Sequence, residues 1–152
     1  MKLKSEFLKE INSRGFIYQS SDIESLDSLI YKKKITAYIG FDITSDSLHI
    51  GSLVQLMLLN WLDTYGHKSI ALVGGGTTLV GDPSGKDSTR KIISLDQINK
   101  NIKKIKKTFN QFIDLNKRGS IINNYDWLSE LNYIDFLRDI GSKLTLNKML
   151  TY

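Results

Sequence analysis

Two short apolar runs, Ile35 to Phe41 and Ser69 to Val73, flank a helical stretch, Leu48 to Tyr65, and this strand, helix, strand order leaves few folds open. The second run lies between His67-Lys68 and Gly74-Gly75-Gly76, the length and flanks of a central strand in a parallel sheet. Joining two parallel strands needs a crossover, and Leu53, Leu56, Met57, Leu59 and Leu62 supply the inner face of its helix. A third strand is expected at Ser120 to Tyr125. The fold class is therefore α/β, a Rossmann-like parallel sheet with flanking helices, incomplete within these residues.

Before the sheet, Phe7, Leu8 and Ile11 fall at helical spacing ahead of Gly15, which predicts a helix over Ser5 to Arg14. Ile23, Leu26, Leu29 and Ile30 predict another over Ile23 to Lys33, with lysines at its end where the helix dipole favours them. The organisation expected is a helical segment over 1–34 followed by the first part of an α/β domain over 35–152. From Leu95 to Phe112 the apolar residues Ile98, Ile102, Ile105, Phe109 and Phe112 step by four, three, four and three, a strong helical period. The opposite face carries Lys100, Lys103, Lys104, Lys106 and Lys107, a face that usually meets water and could meet nucleic acid. A further helix is expected over Tyr133 to Gly141.

Composition excludes several classes. The chain has 152 residues and no cysteine, so it has no disulfide framework and no thiolate metal site; two histidines leave little for a zinc cluster. Met1 to Glu10 interleaves charges with its apolar residues, unlike a signal peptide or membrane span, and the expected location is the cytoplasm. A net charge of +5 suits a polyanionic partner without requiring one.

Between strand and helix, Gly40-Phe41-Asp42 and Ser47-Leu48-His49-Ile50-Gly51 put a glycine turn, an imidazole and a helix start together, where backbone amides can receive a phosphate. The second glycine-rich stretch, Gly74 to Lys86, is not a P-loop: Gly81 and Gly85 have three residues between them where the motif has four, and Asp87 follows Lys86. Nor is it a dinucleotide fingerprint, since no glycine stands three residues after Gly76. What remains is a strand ending in a flexible glycine turn, then Asp82, suited to an ammonium group, and a polar loop bearing Lys86 and Arg90.

Gly40-Phe41-Asp42, Thr44, Ser47 to Gly51, Gly66-His67-Lys68, Val73-Gly74-Gly75, Gly81 to Lys86 and Asn124-Tyr125-Asp126-Trp127 follow the order and approximate spacing of the bacterial-type tyrosyl-tRNA synthetases, class I, which this sequence resembles. The resemblance covers nearly the whole chain and the first part of that family's catalytic domain. It implies a two-step tyrosine–tRNA ligase reaction: tyrosine and ATP give tyrosyl-adenylate and pyrophosphate, and the tyrosyl group then passes to tRNA(Tyr). It further implies ATP with Mg²⁺ as substrate, no tightly bound cofactor, and a homodimer. Thr44 and His49 match the pair that contacts the γ-phosphate in the transition state, and Lys86 and Arg90 the mobile-loop cations on the pyrophosphate. Tyr38, Thr77 and Asp82 match the tyrosine-binding residues; Gly40, Asp42, Gly51 and Ser52 fall in the ATP-binding part. Ser52 replaces a second histidine, Ile43 a common proline and Ile39 a frequent cysteine. The family's lysine-containing second signature and a further phenol-binding aspartate find no match here, so these residues alone are expected to be inactive. Two other readings stay open: a non-catalytic RNA-binding module of synthetase shape, and another nucleotidyl transferase such as a tryptophanyl relative.

Overall fold

The computed structural model describes residues 3–81, 93–115 and 117–150. Two helices come first, α1 (Glu6–Ser13) and α2 (Ile23–Lys32), each opened by the side chain that the sequence supplies: Ser5 accepts from the Leu8 N–H, and Asp22 from the Ser25 N–H. Asp27 of α2 locks the pair. Its carboxylate accepts the N–H groups of Lys4 and Ser5, each at 2.8 Å, and these donors, Ser5 foremost, hold its pKa below the usual carboxylate value.

Three strands, β1 (Thr36–Phe41), β2 (Lys68–Val73) and β3 (Gly119–Asn123), form a parallel sheet in the order β1-β2-β3. In register, Tyr38 pairs with Ile70 and Ile70 with Ser120; Gly40 pairs with Leu72 and Leu72 with Ile122. Side chains alternate across the sheet, so Phe41, Ala71 and Val73 enter the core while Tyr38 and Gly40 share the opposite, more open face. The covered face packs on α3 (Gly51–Thr64), which joins β1 to β2, and on α5 (Leu95–Phe109). Phe41 meets Phe109 edge to face at 4.9 Å, inside a single cluster that also holds Leu56, Leu59, Ile98 and Ile105. Phe7, Leu8, Ile11 and Ile30 belong to the same cluster, so the first two helices share the core of the sheet.

Three features depart from the sequence reading. The crossover helix begins at Gly51, not Leu48, which leaves Leu48 and His49 in irregular chain before it. The glycine turn after β2 is instead a short helix, α4 (Gly75–Val80). Glycine is a weak helix former, but the Gly75 N–H donates to Asn123 Oδ1 at 3.1 Å and the Gly76 N–H to Asn124 Oδ1 at 2.7 Å. Two asparagines at the end of β3 thus cap the first turn from another part of the chain. The third strand ends at Asn123, and Tyr125–Leu128 forms a single helical turn, α6. Beyond it, α7 (Tyr133–Asp139), a 3-10 turn over Gly141–Lys143 and α8 (Leu146–Met149) complete the described residues; residues 131–140 are exposed throughout. No described helix is long and apolar enough to cross a membrane.

Candidate nucleotide site at the carboxyl end of the sheet

Ligands of open parallel sheets bind beyond the carboxyl ends of the strands, and the chain provides a cavity there of about 480 Å³. Gly40, Asp42, Thr44, His49 and Ser52 all line it, so five residues singled out from the sequence meet in one space. Ser45, Ser47, Leu48 and Gln55 complete most of the wall. Sequence reasoning misses Gln55, although it stands three residues after Ser52 and so shares its helix face.

Local structure explains the composition of the wall. Because α3 starts late, the chain from Asp42 to Ile50 forms an irregular loop whose hydroxyls and imidazole face the cavity. The first turn of α3 has no side-chain cap: Ile50 at that position offers no acceptor. The Ser52 N–H already donates to the His49 carbonyl at 2.9 Å and the Leu53 N–H to the Ile50 carbonyl at 3.0 Å, so what this helix start offers an anion is the positive end of its dipole. Gly51 does not line the cavity; its role is room. A Cβ at position 51 would lie 2.9 Å from both Cε1 and Nδ1 of His49, so any side chain there would push the imidazole away. Gly40 has the opposite character. No atom lies within 4 Å of where its Cβ would be, so its bare backbone leaves open space on the sheet between Tyr38 and the cavity.

Tyr38 is not among the lining residues, but it stands two residues before Gly40 on the same face, with its side chain well exposed. Thr77 is exposed on α4, where its hydroxyl donates to the Gly74 carbonyl at 3.2 Å and accepts from Asn124 Nδ2 at 3.1 Å. Asn124 is buried, and it both caps α4 and sets the rotamer of Thr77. Asp82, Lys86 and Arg90 lie outside the described residues. Among the described residues no group of three or more His, Asp or Glu side chains is placed to hold a metal ion.

A larger cavity lies at the other end of the sheet. It encloses about 940 Å³ among Asn60, Asp63, Lys106, Asp114 and Arg118, and none of the residues matched to nucleotide or tyrosine lines it. Size alone does not locate the chemistry.

Comparison with known proteins follows the same line. The profile of the family described as tRNA synthetases class I (W and Y) matches residues 31–152. The chain is 53% identical over 151 residues to the tyrosine–tRNA ligase of Pelagibacter ubique (strain HTCC1062), across 97% of this chain and 37% of that protein. Against the tyrosine–tRNA ligase of Wolbachia pipientis subsp. Culex pipiens (strain wPip) it is 53% identical over 156 residues, across 100% of this chain and 37% of that one. A C-terminally truncated mitochondrial tyrosyl-tRNA synthetase of Aspergillus nidulans superposes with a TM-score of 0.83 at 25% identity, covering 98% of this chain and 46% of that one. The Coccidioides posadasii counterpart gives 0.75 at 27% identity, with 98% and 43% covered. The chain thus spans 37% of the length of these two curated bacterial relatives.

Proposed function

We propose a function from one premise: the chain belongs to the class I tRNA synthetases (W and Y). Within that family its residues supply the first part of the tyrosine- and ATP-binding site of a tyrosine–tRNA ligase. The observation that carries this reading is the meeting of Thr44 and His49 in one cavity with Gly40, Asp42 and Ser52, at an uncapped helix start.

Activation of tyrosine needs no protein nucleophile. The carboxylate oxygen of tyrosine attacks the α-phosphorus of ATP, and the bond to the pyrophosphate oxygen breaks, so the charge that grows during the step sits on the departing phosphates. Groups fixed where that charge develops lower the barrier. The Thr44 hydroxyl and a His49 ring N–H are such donors, and the positive end of the α3 dipole adds a fixed potential. ATP carries Mg²⁺ on its phosphates as part of the substrate. Lys86 and Arg90 are assigned to the same phosphates, and Asp82 to the tyrosine ammonium, by their place in the motif. Tyr38 and Thr77 are assigned to the amino acid itself: where the bound substrate excludes water, a phenol hydrogen-bonded by Tyr38 would leave that buried donor or acceptor unpaired when phenylalanine replaces tyrosine. Discrimination of tyrosine from phenylalanine by this same enzyme class is the established illustration of that penalty. Partners in the second step are tRNA(Tyr) and, in the assembled enzyme, a second copy of the chain; the expected compartment is the cytoplasm.

The test is ATP–pyrophosphate exchange by the full-length protein with tyrosine, tryptophan and phenylalanine in parallel. Exchange with tyrosine alone is the expected result. Exchange driven by tryptophan, or tRNA binding with no affinity for tyrosine or ATP, would replace this function by one of the two other readings.

A further inference from the structure

The loop that presents Thr44 is shaped from α4 and α5, and the grip falls on the residue just before it. Ile43 has no exposed surface. Its N–H donates to Thr78 Oγ1 at 3.4 Å, and its carbonyl accepts from Asn101 Nδ2 at 3.1 Å. Asn101 is only 2% exposed and lies on the α5 face otherwise made of Ile98, Ile105 and Phe109. On packing grounds a leucine would suit that position at no desolvation cost, whereas a buried amide is tolerated only when its polar atoms are satisfied. They are: Gln97 Nε2 donates to Asn101 Oδ1 at 2.9 Å, which leaves Nδ2 to face the carbonyl of Ile43.

We infer that Asn101 is a positioning residue for the phosphate-binding loop. It touches no reacting atom and acts through Thr44, by fixing the peptide that carries it. The inference rests on the reading that Thr44 binds the departing phosphates. Its energetic logic is that of preorganisation: a donor held at the right place before the charge develops contributes to the transition state, while one displaced by a fraction of an ångström still permits ATP to bind. Loss of the grip therefore lowers kcat and spares KM. A purely structural amide would lower the melting temperature and leave the rate per folded molecule unchanged.

The experiment is a double-mutant cycle in the full-length protein, read by the rate of tyrosyl-adenylate formation. Asn101→Ala is expected to lower kcat about tenfold with KM for ATP and tyrosine changed less than about twofold. In a Thr44→Ala background the same change is expected to cost less than about threefold, because the group it positions is gone. If Thr44→Ala lowers the rate and the two losses simply multiply, Asn101 has no part in placing Thr44 and this inference fails alone. If Thr44→Ala leaves the rate unchanged, the phosphate reading of Thr44 fails and takes the inference with it. Gln97→Met guards against an unfolded Asn101→Ala protein: it frees the amide without emptying the site, and is expected to give a loss of kcat of about two- to threefold. A folded Gln97→Met enzyme with full kcat would overturn the inference equally.

Discussion

The two ends of the sheet treat the same side chain in opposite ways. At the carboxyl end, His49 is exposed and lines an open cavity beside Thr44 and Asp42. At the amino end, His67 is 3% exposed, receives the Ile35 N–H on Nδ1 at 3.4 Å and lies edge-on to Phe7 at 5.5 Å. Burial, and then the charge of Lys34, hold its pKa below the ordinary imidazole value. Asp63 belongs to the same end, where it accepts from Ser69 Oγ at 2.8 Å and where burial raises its carboxyl. At the amino end His67 and Ser69 bond within the chain, although Asp63 Oδ2 and Trp61 Nε1 are buried without a hydrogen-bond partner among the described residues; at the carboxyl end Thr77, Thr78 and Asn124 also bond within the chain, and His49 stands exposed on the cavity wall. The two histidines thus differ in burial and in partner, and residue type alone does not say which kind is present.

The sharpest way to break that contrast is to remove each imidazole in turn. His67→Ala is expected to destabilise the protein by about 2–4 kcal/mol, through an emptied site against Phe7 and a lost acceptor, with the rate per folded molecule retained. His49→Ala is expected to change stability by less than about 0.5 kcal/mol while adenylate formation collapses. Thermal unfolding and exchange assays on both proteins check this; a large loss of stability from His49→Ala would erase the distinction.

Acidification sharpens the comparison with a smaller effect. Because the folded protein binds the His67 proton less tightly than the unfolded chain does, its stabilising contribution is fully present above the unfolded value of about 6.5 and is lost as pH falls from there toward the lowered folded value. Protonation also turns Nδ1 from acceptor to donor, against the Ile35 N–H. Asp63 has the opposite sign: its contribution is present below the ordinary carboxylate value of 3.8 and is lost as pH rises through its raised folded value. Melting temperatures between about pH 7 and 5.5 should fall for the parent protein and fall less for His67→Gln; equal slopes would count against the buried-imidazole account.

The smallest expected effect comes from the surface tie on the loop between β1 and α3. Lys104 pairs with Asp46 at 2.7 Å, and that ammonium, by hydrogen bond and by charge, lowers the Asp46 carboxyl, but both side chains are about half exposed or more. Exposed pairs contribute little and are screened by salt. Lys104→Ala is expected to change the adenylation rate less than about twofold, and less still at high ionic strength. A tenfold loss would mean that the loop is held from its surface and not through Asn101.

Where sequence sufficed, a period or a punctuating residue carried the information. Leu53 to Leu62 and Ile98 to Phe109 announce amphipathic helices, and the runs at Ile35 and Ser69 announce buried strands, because burial of one face is a local property of the pattern. Most residues of the cavity wall were legible through the motif around His49. What could not be read depends on distant partners. The helix over Gly75–Val80 exists because the side-chain oxygens of Asn123 and Asn124 accept from its first turn, and nothing between Gly74 and Gly81 discloses that. Asn101 looks like one more polar residue in a lysine-rich helix until the carbonyl of Ile43 appears opposite it. Helix α3 starts three residues later than its apolar pattern suggests, and Leu48 and His49 lie on the cavity wall instead of in its first turn.

The central claim is that Thr44 and His49 act on the phosphates as they leave, and single-turnover formation of tyrosyl-adenylate at saturating tyrosine and ATP tests it most directly. For Thr44→Ala and for His49→Ala in the full-length protein, the expected rate is lower by at least about a hundredfold, with dissociation constants for both substrates nearly unchanged. A preserved rate at saturation, with the loss confined to weaker ATP binding, would contradict it.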